Sequence, residues 1–92
     1  MKNYTVVWTD KSKKQLKKMD KSESRLIIAW VKKNLEGVEN PRILGKSLKG
    51  NLAEFWRYKV GDYRIIALIE DSEVKIQIME TGHRKNIYQQ NH

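Results

Sequence analysis

The sequence predicts an α+β domain in which two N-terminal helices cover one face of an antiparallel sheet, in the chain order β-α-α-β-β-β. Three observations predict this fold. The chain opens with a short β-rich run, continues with two segments of helical pattern to about residue 36, and then has three β-rich runs between residues 54 and 81. Its 92 residues suffice for one hydrophobic core, so residues 1–92 are expected to form a single domain.

The first elements are a strand and a short helix. Residues 4–8 are β-branched or aromatic between polar neighbours, which predicts a strand. Thr9 or Asp10 then offers an N-cap for a helix that reaches about Met19. This helix carries a run of five lysines, namely Lys11, Lys13, Lys14, Lys17 and Lys18. We interpret them as a solvated face of the helix, and a specific contact with RNA is the alternative.

A second helix is predicted from Asp20 to roughly Glu36, because Asp20 and Glu23 have the spacing of a capping box and Gly37 suits a helix stop. Positions at helical spacing form a wide stripe suited to packing on a sheet: Ile27, Trp30, Val31, Asn34, Leu35 and Val38. Within this stripe, Trp30 is expected to be a core residue rather than a platform on which a base stacks.

A hairpin with two different faces is predicted from Gly61-Asp62, which suits a two-residue turn with positive φ at the glycine. Directly opposed residues share a face, and the face alternates at every residue. With a second turn at Asp71-Ser72, the apolar face consists of Trp56, Tyr58, Val60, Tyr63, Ile65, Ala67, Ile69, Val74, Ile76 and Ile78. The other face, here called the cationic face, carries Arg57, Lys59, Arg64, Lys75, Gln77, Met79 and Thr81.

The cationic face has two interpretations. The turn places Lys59 opposite Arg64, and like charges directly opposite each other destabilise a sheet. The cluster therefore either binds an anion or is a solvated outer face. The connector over residues 42–53 also has two interpretations. Its cations either guide a nucleic-acid backbone or keep the loop soluble, and they are Arg42, Lys46 and Lys49.

Composition points to an anionic partner. The formal net charge is +8, and the pI is about 9.8. Residues 1–50 hold 13 Lys and Arg against 5 acids, whereas residues 51–92 hold 6 of each. There is no cysteine, no long apolar run and no leader-like N-terminus, so we expect a cytoplasmic protein without a disulfide or a membrane span.

Cation-assisted chemistry on a phosphate fits these residues best. Two histidines without matching carboxylates do not form a metal-ligand set, and the motifs of serine hydrolases and P-loop proteins are missing from the sequence. Arginines can bind and stabilise charge but cannot give up a proton. Proton transfer would need Lys59, which neighbouring cations should make a better base, or His83 or Tyr88.

Three segments carry a resemblance to a known family: residues 48–50, residues 55–65 and residues 82–88. In the predicted element order they resemble the RelE branch of the RelE/ParE toxin superfamily, over essentially the whole chain. The resemblance implies a toxin of a type II toxin–antitoxin system that cuts mRNA in the ribosomal A site. It also implies cleavage without metal or cofactor, in which the 2′-OH attacks and leaves a 2′,3′-cyclic phosphate.

The resemblance also implies site residues. Those expected to be catalytic are Arg57, Lys59, Arg64, Arg84 and Tyr88, and those expected to hold RNA are Lys46, Lys49 and His83. In the best-known member a lysine stands where this chain has Arg57. Because an arginine cannot act as a base, that role passes to Lys59 or Tyr88.

Partners follow from the same resemblance. It implies an acidic, partly disordered RelB-like antitoxin, a hetero-oligomeric complex that binds DNA through the antitoxin, and the 30S A site with its mRNA as target. No membrane partner is expected. The alternative is a ParE-like toxin that inhibits DNA gyrase by binding protein and cuts nothing, since a shared fold does not fix function.

Overall fold

The computed structural model of the protein describes residues 3–48 and 55–83. Along the chain these residues form strand β1 (Thr5–Trp8), helix α1 (Asp10–Lys18), helix α2 (Lys21–Asn34), and strands β2 (Lys46–Ser47), β3 (Phe55–Val60), β4 (Tyr63–Glu70) and β5 (Lys75–His83). This is the predicted α+β class with two helices before the main strands. Neither helix in the described ranges is long and apolar enough to cross a membrane.

The strands form one five-stranded sheet in the order β1-β5-β4-β3-β2. Strands β2 to β5 pair antiparallel, but β1 pairs parallel with β5, from Thr5 opposite Lys75 to Trp8 opposite Ile78. The sheet is therefore mixed, and our prediction of an antiparallel sheet is wrong at this edge. The two helices between β1 and the rest of the sheet reverse the chain and make the parallel pairing possible.

The predicted hairpin is confirmed in its register. Gly61 has a φ of 62° in the turn between β3 and β4, a conformation that glycine adopts at little cost. Lys59 pairs with Arg64, and Tyr58 pairs with Ile65. Residues predicted to be apolar and to face the helices form the centre of the core, and Tyr58, Ile65, Ala67, Ile76 and Ile78 are each 0% exposed.

A β-bulge interrupts the pairing of β4 with β5. The register shifts between Ile66 and Ala67, where Met79 is an extra residue on β5. Beyond the bulge the faces of β5 are exchanged, so Thr81 lies opposite Ile65 on the helix-covered face and is 1% exposed. The prediction that Thr81 belongs to the cationic face is wrong for this reason.

The helices begin near the predicted caps but with different contacts. The Thr9 hydroxyl caps α1 by accepting a hydrogen bond from the Ser12 amide at 3.2 Å. Asp20 is the N-cap of α2 without a side-chain capping bond, so the predicted capping box does not form. Glu23 instead acts on Tyr63 of β4 and raises the pKa of its hydroxyl. The carboxylate thus faces the sheet in this interaction rather than the first turn of its own helix.

The core lies between α2 and the sheet. From the predicted stripe, Ile27, Val31 and Leu35 are at most 1% exposed. Trp30 is only partly buried, and it packs against the core with its ring centroid 5.5 Å from that of Tyr58. Burial of side chains of this size is the main favourable contribution to folding, at roughly 1.5–3 kcal/mol each.

The connector after α2 is held against the sheet by polar contacts. Tyr58 donates to the Pro41 carbonyl at 2.5 Å, and the Trp56 indole donates to the Leu44 carbonyl at 2.6 Å. Arg42 makes two hydrogen bonds of 3.0 Å to the Asp71 carboxylate. Arg42 therefore has a structural partner, which argues against its use as a guide for a nucleic-acid backbone.

Candidate functional site

Four basic residues meet around one cavity at the edge of the sheet. The cavity has a volume of about 560 Å³ and is lined by Trp30, Asn34, Leu44, Gly45, Lys46, Arg57, Lys59 and Arg64. Within the described ranges, β2 pairs with β3 only at Trp56 and Arg57, so the end of β3 towards the hairpin is not covered by β2. The cavity lies beside the part of β3 that has no pairing with β2.

The sheet register brings the four cations together. Lys46 of β2 lies opposite Arg57 of β3, and Lys59 of β3 lies opposite Arg64 of β4. Directly opposed residues have Cβ atoms about 4.5–5.5 Å apart on the same face. We call Lys46, Arg57, Lys59 and Arg64 the cation cluster. Three of its members were predicted from strand alternation, and Lys46 joins them because the connector contains the short strand β2.

Arg64 is the buried member of the cluster. It is 7% exposed, and its Nη1 donates to the Tyr63 carbonyl at 3.3 Å. Its Nε is buried without a hydrogen-bond partner in the described part of the chain. Gly82 lies opposite Arg64 on β5 and presents no side chain to it. A buried guanidinium with an unsatisfied N–H is costly, which favours a ligand that accepts this hydrogen bond.

The cluster contrasts with the other cations of the sheet. No carboxylate of residues 3–48 or 55–83 lies within ion-pairing distance of Lys46, Lys59 or Arg64. Lys75, in contrast, lies 3.6 Å from Glu70, and Lys11 of α1 lies 3.1 Å from Glu80. The positive charges of Lys46, Lys59 and Arg64, which no carboxylate of the described residues pairs, therefore lie together at the cavity. Such a site attracts anions such as phosphate.

The remaining predicted site residues are not brought to the cavity by the described structure. His83 lies opposite Tyr63 on the helix-covered face, and the two rings meet edge to face with centroids 5.7 Å apart. His83 is thus on the opposite face from the side chains of the cluster. Lys49, Arg84 and Tyr88 lie outside the described residues.

Three tyrosines of the described chain are unsuited to act as bases near neutral pH. A hydrogen bond to Glu23, together with burial and the charge of that carboxylate, raises the pKa of Tyr63 to about 12. Burial raises the pKa of Tyr58, and a hydrogen bond to Asp71 raises the pKa of Tyr4. Among the proton carriers considered from the sequence, Lys59 is the one that the described structure places at the cavity.

Two residues of α2 that line the cavity were not predicted as site residues. Trp30 and Asn34 lie one helical turn apart near the end of α2 and form a wall of the cavity. Asn34 is the one polar residue in the stripe that otherwise predicts core packing. A polar side chain at an apolar position was the signal that could have indicated a second function for this end of the helix.

A comparison with protein families gives a match over most of the chain. The model of the family described as "ParE toxin of type II toxin-antitoxin system, parDE" matches residues 6–88. These bounds include all the residues predicted to form the site.

Individual relatives agree with this match. The toxin RelE of Mycobacterium tuberculosis is 32% identical over 54 residues, which are 59% of this chain and 56% of that protein. The chain therefore matches little more than half the length of this curated relative. The crystal structure of the toxin–antitoxin complex RelBE2 from Mycobacterium tuberculosis contains a chain with a TM-score of 0.81 and 26% identity, covering 91% of this chain and 94% of that one. The crystal structure of the isolated E. coli RelE toxin has a TM-score of 0.70 and 20% identity, covering 96% of this chain and 94% of that one. This similarity shows that the two chains share a fold.

Proposed function

This chain belongs to the family of ParE toxins of type II toxin–antitoxin systems, within the RelE/ParE superfamily, and on this premise we propose that it is a ribosome-dependent endoribonuclease. Its substrate in this proposal is mRNA in the ribosomal A site. The RelE-named relatives favour this branch of the superfamily over the gyrase-directed branch.

The observation that carries the proposal is the pairing of buried Arg64 with Lys59 inside the cation cluster. A toxin that only bound protein would have no need for a half-satisfied guanidinium inside a cavity with three further cations. Cleavage of RNA does need such a group, because negative charge grows on the phosphate oxygens in the transition state. Fixed donors at that position lower the barrier without having to reorganise.

The proposed reaction is transesterification within the RNA strand. A base removes the proton of the 2′-OH, and the 2′ oxygen attacks the adjacent phosphorus. The bond from phosphorus to the 5′ oxygen breaks, and an acid supplies the proton that this leaving oxygen takes up. The products are a 2′,3′-cyclic phosphate and a 5′-OH end, and neither metal nor cofactor takes part. Arg57 and Arg64 would bind the phosphate oxygens, since an arginine keeps its proton.

The proton-transfer roles fall to Lys59 and Tyr88. Lys59 lies in the cation cluster and is exposed to the cavity, where a substrate hydroxyl can reach it. Arg84 and Tyr88 complete the proposed site from the chain segment that follows β5. Lys46 and Lys49 would hold the RNA backbone on the connector side, and His83 would order the chain where it leaves the sheet towards Arg84.

An antitoxin is the proposed protein partner. Complexes of RelE with RelB have been solved from Mycobacterium tuberculosis, E. coli and Pyrococcus horikoshii. We propose that an acidic, partly disordered antitoxin of this kind neutralises the cation cluster and binds DNA within the complex. A net charge of +8 gives this chain the complementary sign.

Primer extension on mRNA held in programmed ribosomes tests the proposed activity. The wild type is compared with Arg64→Met and Lys59→Met, and Lys75→Met is the matched control because Lys75 is a cation of the same sheet that pairs with Glu70. We expect A-site cuts by the wild type and the control, and a loss of about 10²–10³ in cleavage rate for Arg64→Met.

The same preparations separate the alternative. Intact mRNA with wild-type protein that still arrests growth would contradict the nuclease proposal. Inhibition of DNA supercoiling by gyrase would then assign the ParE-like function. Retention of full cleavage by Arg64→Met would reject the cation cluster as the site even if the wild type cuts.

A further inference from the structure

The wall of the cavity formed by Trp30 and Asn34 is chemically unlike the cation cluster. It contributes an aromatic ring and an amide, with no charge, beside four basic side chains. Phosphate and sugar need only the cations, so this wall is suited to a different part of a ligand. A nucleotide has such a part, because its base is flat, apolar on its faces and polar at its edge.

Trp30 has the properties of a fixed stacking surface. Its ring packs against Tyr58 at an interplanar angle of 52° and is part of the packing around the core. Because Trp30 is only partly buried, it also contributes surface to the cavity. A ring that the core already holds in place loses little entropy when a base stacks on it. Such stacking is worth about 1–3 kcal/mol per base in proteins that bind single strands.

Asn34 has a free acceptor in a defined orientation. Its Nδ2 donates to the Trp30 carbonyl at 3.0 Å, and a carbonyl can only accept, so the orientation of the amide is set by this bond. Its Oδ1 has no hydrogen-bond partner among the residues that the structure describes. Asn34, which lines the cavity together with Trp30, therefore keeps an acceptor that no described residue uses.

We propose that Trp30 and Asn34 form a base-recognition subsite for one nucleotide of the RNA strand whose phosphate is bound by the cation cluster. The inference rests on the proposed nuclease function and adds the residues that read the base. The cavity of about 560 Å³ is within the range of roughly 300–1,000 Å³ that is usual for sites that hold small ligands.

The free acceptor of Asn34 predicts which bases the subsite prefers. Adenine, cytosine and guanine carry an exocyclic amino group that can donate to Asn34 Oδ1. Uracil has a carbonyl oxygen at the position equivalent to the cytosine amino group, so at that position it cannot donate to Asn34 Oδ1, and its remaining donor is the ring N3–H. We therefore expect cytosine to be preferred over uracil by about tenfold at this nucleotide, the lower end of what one good base contact provides.

Binding of mononucleotides tests the subsite without any cleavage. The side-chain signals of Trp30 and Asn34 are followed by NMR while cytidine monophosphate, uridine monophosphate or ribose 5-phosphate is added to the full chain. We expect cytidine monophosphate to shift both signals and to bind more tightly than the uridine compound, and ribose 5-phosphate to shift neither. Equal shifts with all three ligands would overturn the proposal, because the phosphate alone would explain them.

Variants test the same residues in the reaction. Asn34→Leu removes the acceptor at a partly exposed helix end, and Trp30→Leu removes the stacking surface but keeps an apolar side chain. Trp8→Leu is the matched control, since Trp8 is also a partly buried tryptophan packed against the core but does not line the cavity.

Codon-resolved cleavage gives the expected outcomes. Asn34→Leu should bring the cytosine-to-uracil preference close to one, and Trp30→Leu should lower cleavage at all codons by about tenfold or more relative to Trp8→Leu. Wild-type levels and preferences in both variants would reject the subsite while leaving the nuclease proposal intact. If the wild type cuts nothing, the nuclease proposal fails, and the NMR titration still decides whether the cavity takes a base.

Discussion

Lys59 and Arg64 lie directly opposite each other on neighbouring strands, with both cationic side chains on the face of the sheet that the helices do not cover. Like charges in this position repel each other, and Arg64 is buried as well. The pair therefore lowers the stability of the free protein. A bound phosphate removes this penalty, so the arrangement favours the anion-bound state.

Replacement of Arg64 by methionine is expected to separate stability from activity. The substitution keeps an apolar stem of similar length but removes a buried charge whose Nε lacks a partner in the described chain. We expect the free energy of unfolding to stay the same or rise by about 1 kcal/mol, measured by urea denaturation, while cleavage is lost. A fall of more than about 1 kcal/mol would contradict the reading of Arg64 as a functional rather than a structural residue.

Asp71 is expected to be a stabilising residue far from the cavity. It accepts a 2.6 Å hydrogen bond from the Tyr4 hydroxyl and two bonds from Arg42, which join the start of β1, the connector and the turn after β4. Because Asp71 is exposed, we expect Asp71→Asn to lower the free energy of unfolding by only about 1–2 kcal/mol. Glu73→Gln, at an exposed position of the same turn, is the control and should change little in the same denaturation experiment.

Tyr63 predicts a loss of stability in alkaline solution. Its pKa is raised from 10.0 to about 12 by the hydrogen bond to Glu23, so the folded protein holds the phenolic proton more tightly than the unfolded chain does. The protonated Tyr63 hydroxyl therefore makes its full contribution to the free energy of unfolding below pH 10, and this contribution is lost as the pH rises towards 12. Denaturation curves across this range should show a smaller decline for Tyr63→Phe than for the wild type. Equal declines would show that the hydrogen bond to Glu23 does not persist in solution.

Gly45 is expected to tolerate no side chain. Its φ is +80°, and an added Cβ would lie 2.4 Å from the Arg57 carbonyl oxygen. Gly37 is the matched control because its φ of +76° is similar but its surroundings are open. We expect Gly37→Ala to cost about 1–2 kcal/mol, from the backbone conformation alone, and Gly45→Ala to cost clearly more. Thermal melting of the two variants side by side measures the difference, and equal costs would contradict close packing of the connector on β3.

The sequence was most informative where alternation and a turn signal agree. Gly61 fixes the hairpin, and from that point parity alone places Arg57, Lys59 and Arg64 on one face, as the register confirms. The same rule failed at Thr81, because the extra residue Met79 reverses the faces of β5 and a bulge leaves no mark on an alternating pattern.

Other features depend on distant parts of the chain and could not be predicted from local pattern. The partner of β1 is set by the path of two helices, and a run of four residues carries no sign of whether its neighbour is parallel or antiparallel. Trp30 packs against the core as expected, but its position at the cavity was not predicted, for a related reason. Helical periodicity shows which face of α2 is buried, but not where that face extends beyond the edge of the sheet and into the cavity.

The parallel pairing of β1 with β5 also determines at what point during translation the sheet can be completed. The hydroxyl of Tyr4 meets Asp71, 67 positions later, and Thr5 finds its partner only at Lys75. Contacts between such distant residues form late, because closing a long loop costs entropy before it yields any packing. During translation both helices are therefore synthesised well before β5, the strand that lies between β1 and β4. The five-stranded sheet that displays the cation cluster is completed only after β5 has been synthesised.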